Sequence, residues 1–486
     1  MNSRVLENVK PYDVFKYFEE MSQIPRGSGY EKAISDYLVK FAKDNNLEVI
    51  QDSALNVIIK KPATEGYENA PTVILQGHMD MVNEKNVGTE HDFDKDPLKL
   101  RIVDDMIYAT GTTLGADNGI AVAYALAALA SKDLSHPALE VLVTTEEETG
   151  MGGALALDPS SLKGKMLVNI DSEEEGTLLV SCAGGVRVKI QLPIQWEENT
   201  SNKVSCAIRV RGLKGGHSGM EINKERGNAN KIMGRFLSNL SSMVELQLAS
   251  LNGGAKMNAI PREMDAVLLV DADKVDLVKE RVEVWNSIVK NELAATDAEV
   301  RFEFEALTAK VEKVFSKETT EKAITTLYLV PNGIRSMSMN IEGLVESSTN
   351  LGVVATSEGI VEFESAVRSS VKTLKTEIVG QMRTLAGVMG AELTTESDYP
   401  EWQYKADSQL REVFQKVYKD INGVEPHISA IHAGLECGLF TEKFGDVDMI
   451  SFGPNLYDVH TPEEHMSISS VERMWDYLVA VLKEIK

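Results

Sequence analysis

The sequence has little cysteine, little proline and a deficit of positive charge, and these shortages exclude several classes of protein. Its 486 residues include 3 Cys and 14 Pro, and 50 Lys and Arg stand against 74 Asp and Glu. Three scattered cysteines supply neither a disulfide framework nor a CxxC metal knuckle. A net charge of -24 repels phosphate backbones and anionic lipid, so we expect neither a nucleic-acid partner nor a membrane partner.

Long apolar runs are also scarce. The N-terminal segment carries charges of both signs, and the most apolar stretch, residues 120–130, is too short to span a bilayer. We therefore expect a soluble protein of the reducing cytoplasm. Hydrophobic residues make up 43% of the chain, which suffices for a core, and the length predicts two or three globular units.

The first part of the chain alternates between apolar strands and amphipathic helices, which is typical of an α/β sheet covered on both faces. After residue 184, strands with period-2 alternation and helices recur twice, which predicts an insertion of two similar αβ subdomains. The alternation of helices and apolar strands returns after residue 397. We predict one domain from residues 1–184 and 398–486, interrupted by an α+β lid domain at residues 185–397.

Polar side chains follow the predicted strands where the strands end. His78 and Asp80 follow the run at 71–77, three glutamates follow the run at 139–145, and Asp171 ends the run at 166–171. Ligands gather at the carboxyl ends of strands in open α/β sheets. Each group also has an ordinary explanation, such as a local hydrogen bond for the histidine or a solvated loop for the glutamates.

Two further positions join this pattern. Asp117 precedes a helix of small residues, where a helix cap is the ordinary explanation, and His460 and His465 follow a strand near the end of the sequence. Imidazoles and carboxylates that converge on one sheet edge suit two divalent ions about 3.5–4 Å apart, bridged by a carboxylate and a water.

Several segments together resemble the co-catalytic zinc metallopeptidases, the family that includes carnosinases, the carboxypeptidase G type, bacterial aminotripeptidases and Xaa-His dipeptidases. They run through nearly the whole chain in the family's order. The large insertion and the segment HAGLECG at 432–438 are most similar to the Xaa-His, or aminoacyl-histidine, dipeptidase branch. The matching segments are GHMDMV at 77–82, GADNGIAVA at 115–123, TEEETG at 145–150, NIDSEEEG at 169–176, GGHSGMEI at 215–222, NAIPRE at 258–263 and VHTPEEHM at 459–466.

The resemblance implies a role for each residue of the metal site. One zinc would be held by His78, Asp117 and Asp171. The other would be held by Asp117, Glu148 and His460, so that Asp117 is the bridge. The resemblance further implies that Asp80 orients the first histidine and that Glu147 is the general base that activates a metal-bridging water.

The resemblance also implies roles in the lid domain. His217 and Asn258 would stabilise the tetrahedral oxyanion, and Arg368 would bind a substrate carboxylate. His432 and Glu436 lie where relatives have a substrate loop, and they depart from the commoner pattern. We assign both to substrate binding and leave their exact roles open.

The sequence therefore predicts an α/β zinc-peptidase catalytic domain with a central mixed sheet, interrupted by the lid domain. The predicted activity is hydrolysis of Xaa-His and other dipeptides with two metal ions, Zn before Co or Mn. An amino-acid deacylase or a tripeptidase would share every ligand, and a non-catalytic metal-binding protein on this fold is the alternative from another class. The sequence leaves open whether the protein is a monomer or a homodimer. It also leaves open whether His217 acts in its own subunit or in that of a partner.

Overall fold

The chain divides into two compact units. The structure, a computed structural model, describes residues 4–199 and 203–486. The predicted lid domain falls inside unit 2, but the return of the chain to that unit at residues 431–434 has no signal in the sequence. Unit 1 contains the described part of Met1–Ser181 with Tyr404–Ala430 and Leu435–Lys486, and unit 2 contains the described part of Cys182–Gln403 with Ile431–Gly434.

The helices lie in both units, and the described residues contain none long and apolar enough to cross a bilayer. The α-helices are α1 Tyr12–Met21, α2 Lys32–Asp44, α3 Ala116–Ala130, α4 Gly152–Ala156, α5 Ala229–Ser241, α6 Val275–Glu292, α7 Lys317–Leu329, α8 Lys372–Met389, α9 Gln409–Asn422, α10 Glu436–Phe444 and α11 Ile468–Glu484.

Most strands belong to one large sheet in each unit. The strands are β1 Glu48–Gln51, β2 Val57–Lys61, β3 Val73–His78, β4 Leu100–Val103, β5 Met106–Ala109, β6 Leu139–Thr144, β7 Met166–Asn169, β8 Thr177–Cys182, β9 Gly184–Pro193, β10 Trp196–Glu198, β11 Val204–Arg211, β12 Gly216–His217, β13 Leu246–Gly253, β14 Ala259–Ile260, β15 Met264–Val270, β16 Arg301–Ala306, β17 Lys313–Phe315, β18 Gly333–Met337, β19 Val345–Thr356, β20 Ile360–Ser369, β21 Glu392–Tyr399, β22 His427–Ile431, β23 Asp448–Ser451, β24 Leu456–Tyr457 and β25 His465–Ser467.

Unit 1 is built around a mixed sheet with the strand order β1-β2-β6-β3-β7-β23-β8-β22. Strands β6, β3, β7 and β23 run parallel to one another, whereas β2 is antiparallel to both of its neighbours, β1 and β6. Every residue of β3 and β6 is buried, as expected of strands covered on both faces. The predicted central mixed sheet is confirmed, and its parallel strands end at one edge.

Helix α3 packs closely against this sheet because the contact residues are small. A Cβ atom added to Gly77 in β3 would lie 2.6 Å from the Cβ atom of Ala121. The Asn118 side chain accepts a hydrogen bond from the His78 backbone at 3.2 Å and donates one to the Ile170 carbonyl at 2.7 Å. These contacts hold the start of α3 at the carboxyl ends of β3 and β7.

Unit 2 contains two similar halves that share one antiparallel sheet. Its main strand order is β16-β11-β15-β13-β19-β20-β9-β21. The first half has the chain order β11-α5-β13-β15-α6-β16, and the second has β9-α7-β19-β20-α8-β21, with the first half inserted after β9. Each half is thus a β-α-β-β-α-β motif with the same strand order. The halves meet at the residue pair Gly253 and Val354, in agreement with the predicted repeat.

Candidate active site

Asp117 lies at the centre of a cluster of imidazole and carboxylate groups in unit 1. Its Oδ1 atom is 3.2 Å from Nε2 of His78, and its Oδ2 atom is 3.1 Å from Nε2 of His460. His78 Nε2 is also 3.5 Å from Oδ1 of Asp171. On the other side, His460 Nε2 is 3.0 Å from Oε1 of Glu148. The five side chains therefore form two groups that share Asp117.

The crowding of these groups shifts their pKa values. Burial disfavours the charged His78 ring, but hydrogen bonds with Asp117 and Asp171 outweigh burial and raise the pKa of His78 well above its ordinary value. Hydrogen bonds with Asp117 and Glu148 raise the pKa of His460 to about 11. Burial raises the pKa of Asp171 to about 6. Protons and metal ions compete for such donor atoms.

The cluster fits divalent metal ions in geometry and in chemistry. Two ligand atoms of a tetrahedral ion with bonds of about 2.0–2.1 Å lie roughly 3.3 Å apart, close to the distances between neighbouring donors here. The donor atoms of His78, Asp117 and Glu148 all lie within 4.8 Å of one another, so these three could hold one ion together. Nitrogen and oxygen donors of this kind suit zinc and neighbouring transition metals.

Asp80 links the first imidazole to the glutamate loop. Its Oδ1 atom is 3.3 Å from Nδ1 of His78. The same carboxylate accepts hydrogen bonds from the backbone of Glu147 at 3.1 Å, from the backbone of Glu148 at 3.2 Å and from Ser28 Oγ at 2.8 Å. Hydrogen bonding to His78 contributes to a lowered pKa of Asp80 even though burial acts to raise it. Asp80 therefore contacts the ring nitrogen of His78 that does not face Asp117, a position from which a carboxylate can orient a metal-binding imidazole.

Glu147 is placed beside the cluster without being tied to it. Among the described residues, no group donates a hydrogen bond to its carboxylate, while its backbone is held by Asp80. Burial raises the pKa of Glu147 well above its ordinary value, and the charges of Asp171 and Glu436 raise it further. A carboxylate with a raised pKa and open lone pairs is suited to accept a proton.

Two residues that the sequence did not single out fix the start of α3. The Glu464 carboxylate accepts hydrogen bonds from four successive backbone N–H groups, residues 114–117, at 2.7–3.3 Å. The buried Arg26 guanidinium donates to the carbonyl oxygens of Met79, at 3.0 Å, and of Gly115. Together they hold the backbone that carries Asp117. The neighbour of Glu464, His465, stacks between two tyrosines and is not part of the cluster.

The predicted substrate loop is divided between the units, with His432 in unit 2 and Glu436 in unit 1. Glu436 is fully buried at the start of α10. It accepts hydrogen bonds from Gln76 at 2.5 Å and from Thr144 at 2.8 Å, and burial raises its pKa to about 7. The side chain thus lies beneath the ends of β3 and β6.

The predicted oxyanion residues are neighbours within unit 2. Strands β12 and β14 pair so that His217 is opposite Ala259, and the Ser218 N–H donates to the Asn258 carbonyl at 2.9 Å. Nδ1 of His217 accepts hydrogen bonds from the backbone N–H groups of residues 219 and 220, at 3.3 and 3.0 Å. Burial and the nearby Arg368 lower the pKa of His217. Because two N–H groups donate to Nδ1, that atom carries no hydrogen, and the hydrogen of the ring lies on Nε2.

Arg368 and His432 lie beside that histidine loop. A Cβ atom added to Gly219 would be 2.5 Å from the His432 carbonyl oxygen, 3.1 Å from Cε1 of His217 and 3.2 Å from Nε of Arg368. Among the described residues, Arg368 forms no ion pair, and its buried Nε atom has no hydrogen-bond partner. His432 hydrogen-bonds Ser348 Oγ through Nε2 at 2.7 Å, and burial lowers its pKa to about 3. Arg368 is thus a cation without a counter-ion in the part of the chain that the structure describes.

The mixed α/β sheet thus carries two imidazoles and several carboxylates in an arrangement that suits a metal-dependent hydrolase. The sequence pattern of peptidase family M20/M25/M40 matches residues 74–484, and the chain belongs to this family of peptidases.

Two relatives match the chain along its whole length. It is 39% identical over 480 residues to the cytosol non-specific dipeptidase of Escherichia coli K12, and the alignment covers 99% of each chain. The crystal structure of aminoacylhistidine dipeptidase from Vibrio alginolyticus has a TM-score of 0.95 at 39% identity and covers 99% of this chain and 98% of that one. Aminopeptidase PepT from Bacillus cereus, with a TM-score of 0.56 at 17% identity over 98% and 99% of the two chains, shares the fold.

Proposed function

We propose that this protein is a cytoplasmic dipeptidase that hydrolyses Xaa-His and other unmodified dipeptides. The cluster around Asp117 carries the proposal, since it places two imidazoles and three carboxylates at distances that suit shared metal ligands. The substrate class follows the two relatives that match the full chain, which are named a non-specific dipeptidase and an aminoacylhistidine dipeptidase. The first of these relatives is named as a dipeptidase of the cytosol, which supports the proposed cytoplasmic location.

Two divalent ions would fit the cluster, and the nitrogen and oxygen donors favour Zn before Co or Mn. His78, Asp117 and Asp171 would hold one ion, and Asp117, Glu148 and His460 would hold the other. When bound, such ions acidify a water molecule and polarise the carbonyl of the peptide bond.

Glu147 acts as the general base in this proposal. Its unshared carboxylate accepts the proton of the attacking water and passes it to the nitrogen of the departing amino acid. The raised pKa of Glu147 favours the first transfer, because the carboxylate binds a proton readily, and the departing amine nitrogen is basic enough to take that proton and regenerate the base. Asp80, which holds the Glu147 backbone, keeps the base beside the cluster.

His217 and Arg368 in unit 2 have complementary roles. The neutral His217 ring donates its Nε2 hydrogen to the oxyanion that develops in the transition state, and Asn258 lies next to it. The guanidinium of Arg368, which forms no ion pair with any described residue, binds the free carboxylate of the dipeptide through charge-assisted hydrogen bonds. A requirement for that carboxylate restricts cleavage to the last peptide bond of a substrate with a free C-terminus.

The first test of this function is metal dependence combined with a substrate panel. Exhaustive chelation should abolish dipeptide hydrolysis, and added Zn, Co or Mn should restore it. The metal-loaded protein should cut dipeptides faster than tripeptides or N-acyl amino acids, as measured by product analysis. Full activity in protein shown to be metal-free by elemental analysis would contradict the metal site. Faster cleavage of N-acyl amino acids would instead identify a deacylase.

The second test separates the base from the adjacent ligand. Glu147→Gln is nearly isosteric, so it should keep the bound metal and lower kcat by about 10²-fold or more. The matched control is Glu146→Gln, a change at the neighbouring exposed glutamate, which should retain activity. If Glu147→Gln instead lost metal while activity per bound metal was kept, the roles assigned to Glu147 and Glu148 would have to be exchanged.

A further inference from the structure

Four residues of unit 2 form a row across adjacent strands of its sheet. Ser348 in β19 is paired with Arg368 in β20, Arg368 is paired with Gly185 in β9, and Gly185 is paired with Tyr399 in β21. Directly paired residues of antiparallel strands point to the same face. Val367, the neighbour of Arg368, is buried in the core with the helices, so the row faces away from them.

A glycine within this row lets two side chains meet. Arg368 Nη1 donates a hydrogen bond of 2.9 Å to the Tyr399 hydroxyl oxygen, although β9 lies between their strands. A Cβ atom added to Gly185 would be 2.4 Å from that oxygen and 2.5 Å from Cζ of the ring. The hydrogen bond therefore requires a residue without a side chain at position 185.

The tyrosine is itself held firmly. A Cβ atom added to Gly434 would lie 2.9 Å from Cε2 of the Tyr399 ring. A second glycine therefore leaves the space that the ring occupies. The backbone carbonyl of Tyr399 accepts a hydrogen bond of 2.9 Å from the buried Lys375, which also pairs with Glu401 at 3.2 Å. A fixed phenol oxygen can in turn fix one end of the Arg368 guanidinium.

We propose that Tyr399 is a positioning residue for substrate specificity, because its hydroxyl, reached across Gly185, holds the Arg368 guanidinium ready for the carboxylate of the dipeptide. This inference rests on the proposed role of Arg368. Tyr399 accepts from one nitrogen of the fork and leaves the remaining N–H donors, including the unpartnered Nε, for the incoming anion. A guanidinium fixed before binding loses less side-chain entropy when the substrate arrives.

The decisive variant is Tyr399→Phe, which removes only the hydroxyl and keeps the ring between the glycines. We expect kcat/KM for a free dipeptide to fall roughly 10- to 100-fold, mainly through KM, since a hydrogen bond to a charged group is lost. For the same dipeptide amidated at its C-terminus, kcat/KM should change less than about 2-fold, because no carboxylate is present to be positioned. Tyr328→Phe, a change at an exposed tyrosine of the same unit, is the control.

A second variant tests the glycine. Gly185→Ala should displace the ring and give the same selective loss for the free dipeptide. Gly359→Ala, where an added Cβ would meet no atom within 4 Å, should behave like the unmodified enzyme. Circular dichroism and metal content should be unchanged in Tyr399→Phe, and they identify any variant that fails to fold.

Arg368→Met distinguishes failure of this inference from failure of the proposed function. If Arg368→Met abolishes the preference for the free over the amidated dipeptide, the carboxylate role of Arg368 stands, and Tyr399→Phe should add nothing in that background. Equal losses for both substrates, or no loss, in Tyr399→Phe would then overturn the positioning role alone. If Arg368→Met keeps the preference, the carboxylate role fails and the inference about Tyr399 fails with it.

Discussion

At the scale of single residues, the tautomer of His217 has a direct kinetic consequence. Its Nδ1 atom is occupied by two backbone donors, so Nε2–H is the only donor that the ring offers. In the proposed oxyanion role this donor acts mainly in the transition state, so His217→Ala should lower kcat by about 10²- to 10³-fold and leave KM and metal content nearly unchanged. His427→Ala, at an exposed histidine of β22, is the control. An unchanged kcat would assign His217 a structural role only.

A second residue-scale prediction concerns His432 and pH. The unfolded pKa is near 6.5 and the folded pKa is about 3, so between these values the unfolded chain binds the extra proton. The stability that neutral His432 contributes is complete above pH 6.5 and is lost as the pH falls towards 3. His432→Gln cannot titrate, so its deficit in unfolding free energy should be smaller at pH 4.5 than at pH 7.5. Denaturant unfolding measures this, and an equal deficit at both pH values would contradict it.

Polar residues at strand ends and at a helix start indicated the region of the Asp117 cluster, but the choice of Glu148 among three glutamates and of His460 over His465 came from the family resemblance. The sequence could not predict Glu464 or Arg26, because these side chains act on backbone N–H and carbonyl groups of segments far away in the sequence. Nothing local distinguishes Glu464 from its exposed neighbour Glu463. The division of His432 and Glu436 between two units was hidden for the same reason, since only tertiary contacts decide it.

At the scale of elements, the start of α3 depends on one distant carboxylate. Replacing Glu464 with Gln removes the negative charge that four backbone N–H groups share, so we expect a loss of about 1–3 kcal/mol in unfolding free energy. Metal affinity should also fall, because Asp117 lies within that segment. Glu463→Gln is the matched control. Wild-type metal affinity in Glu464→Gln, measured by competition with a chelator, would contradict the positioning role.

The elements themselves were largely predictable, and their ends were less so. The run at 56–61 corresponds to β2, and the run at 71–77 corresponds to β3, because the buried residues of a strand leave a continuous apolar run in the sequence. Asp117 was a candidate helix cap, but Gly115 with a φ of 65° precedes the helix and Asp117 is not helical in its backbone angles. The carboxylate of Glu464, which is distant in the sequence, accepts hydrogen bonds from the backbone N–H groups of residues 114–117 instead.

At the scale of the whole molecule, the net charge of -24 should affect which dipeptides arrive fastest. A negative field attracts cationic substrates and repels anionic ones, and salt screens both effects. Raising the salt from about 0.02 to 0.3 M should lower kcat/KM for a lysine-containing dipeptide, raise it for a glutamate-containing one and leave a neutral one nearly unchanged. Parallel salt responses for all three would show that the overall charge has no role in substrate capture.

The position of β23 in the unit 1 sheet affects how the enzyme is made. This strand lies between β7 and β8, yet Cys182–Gln403 must be synthesised before it. At about 5–20 residues per second, that stretch alone takes roughly 10–45 s. During this interval β7 and β8 have been synthesised, but the strand that lies between them has not. His460 has not been synthesised either. A ribosome-bound chain therefore passes through a long stage in which the unit is open to chaperones and the hydrolytic machinery is still incomplete.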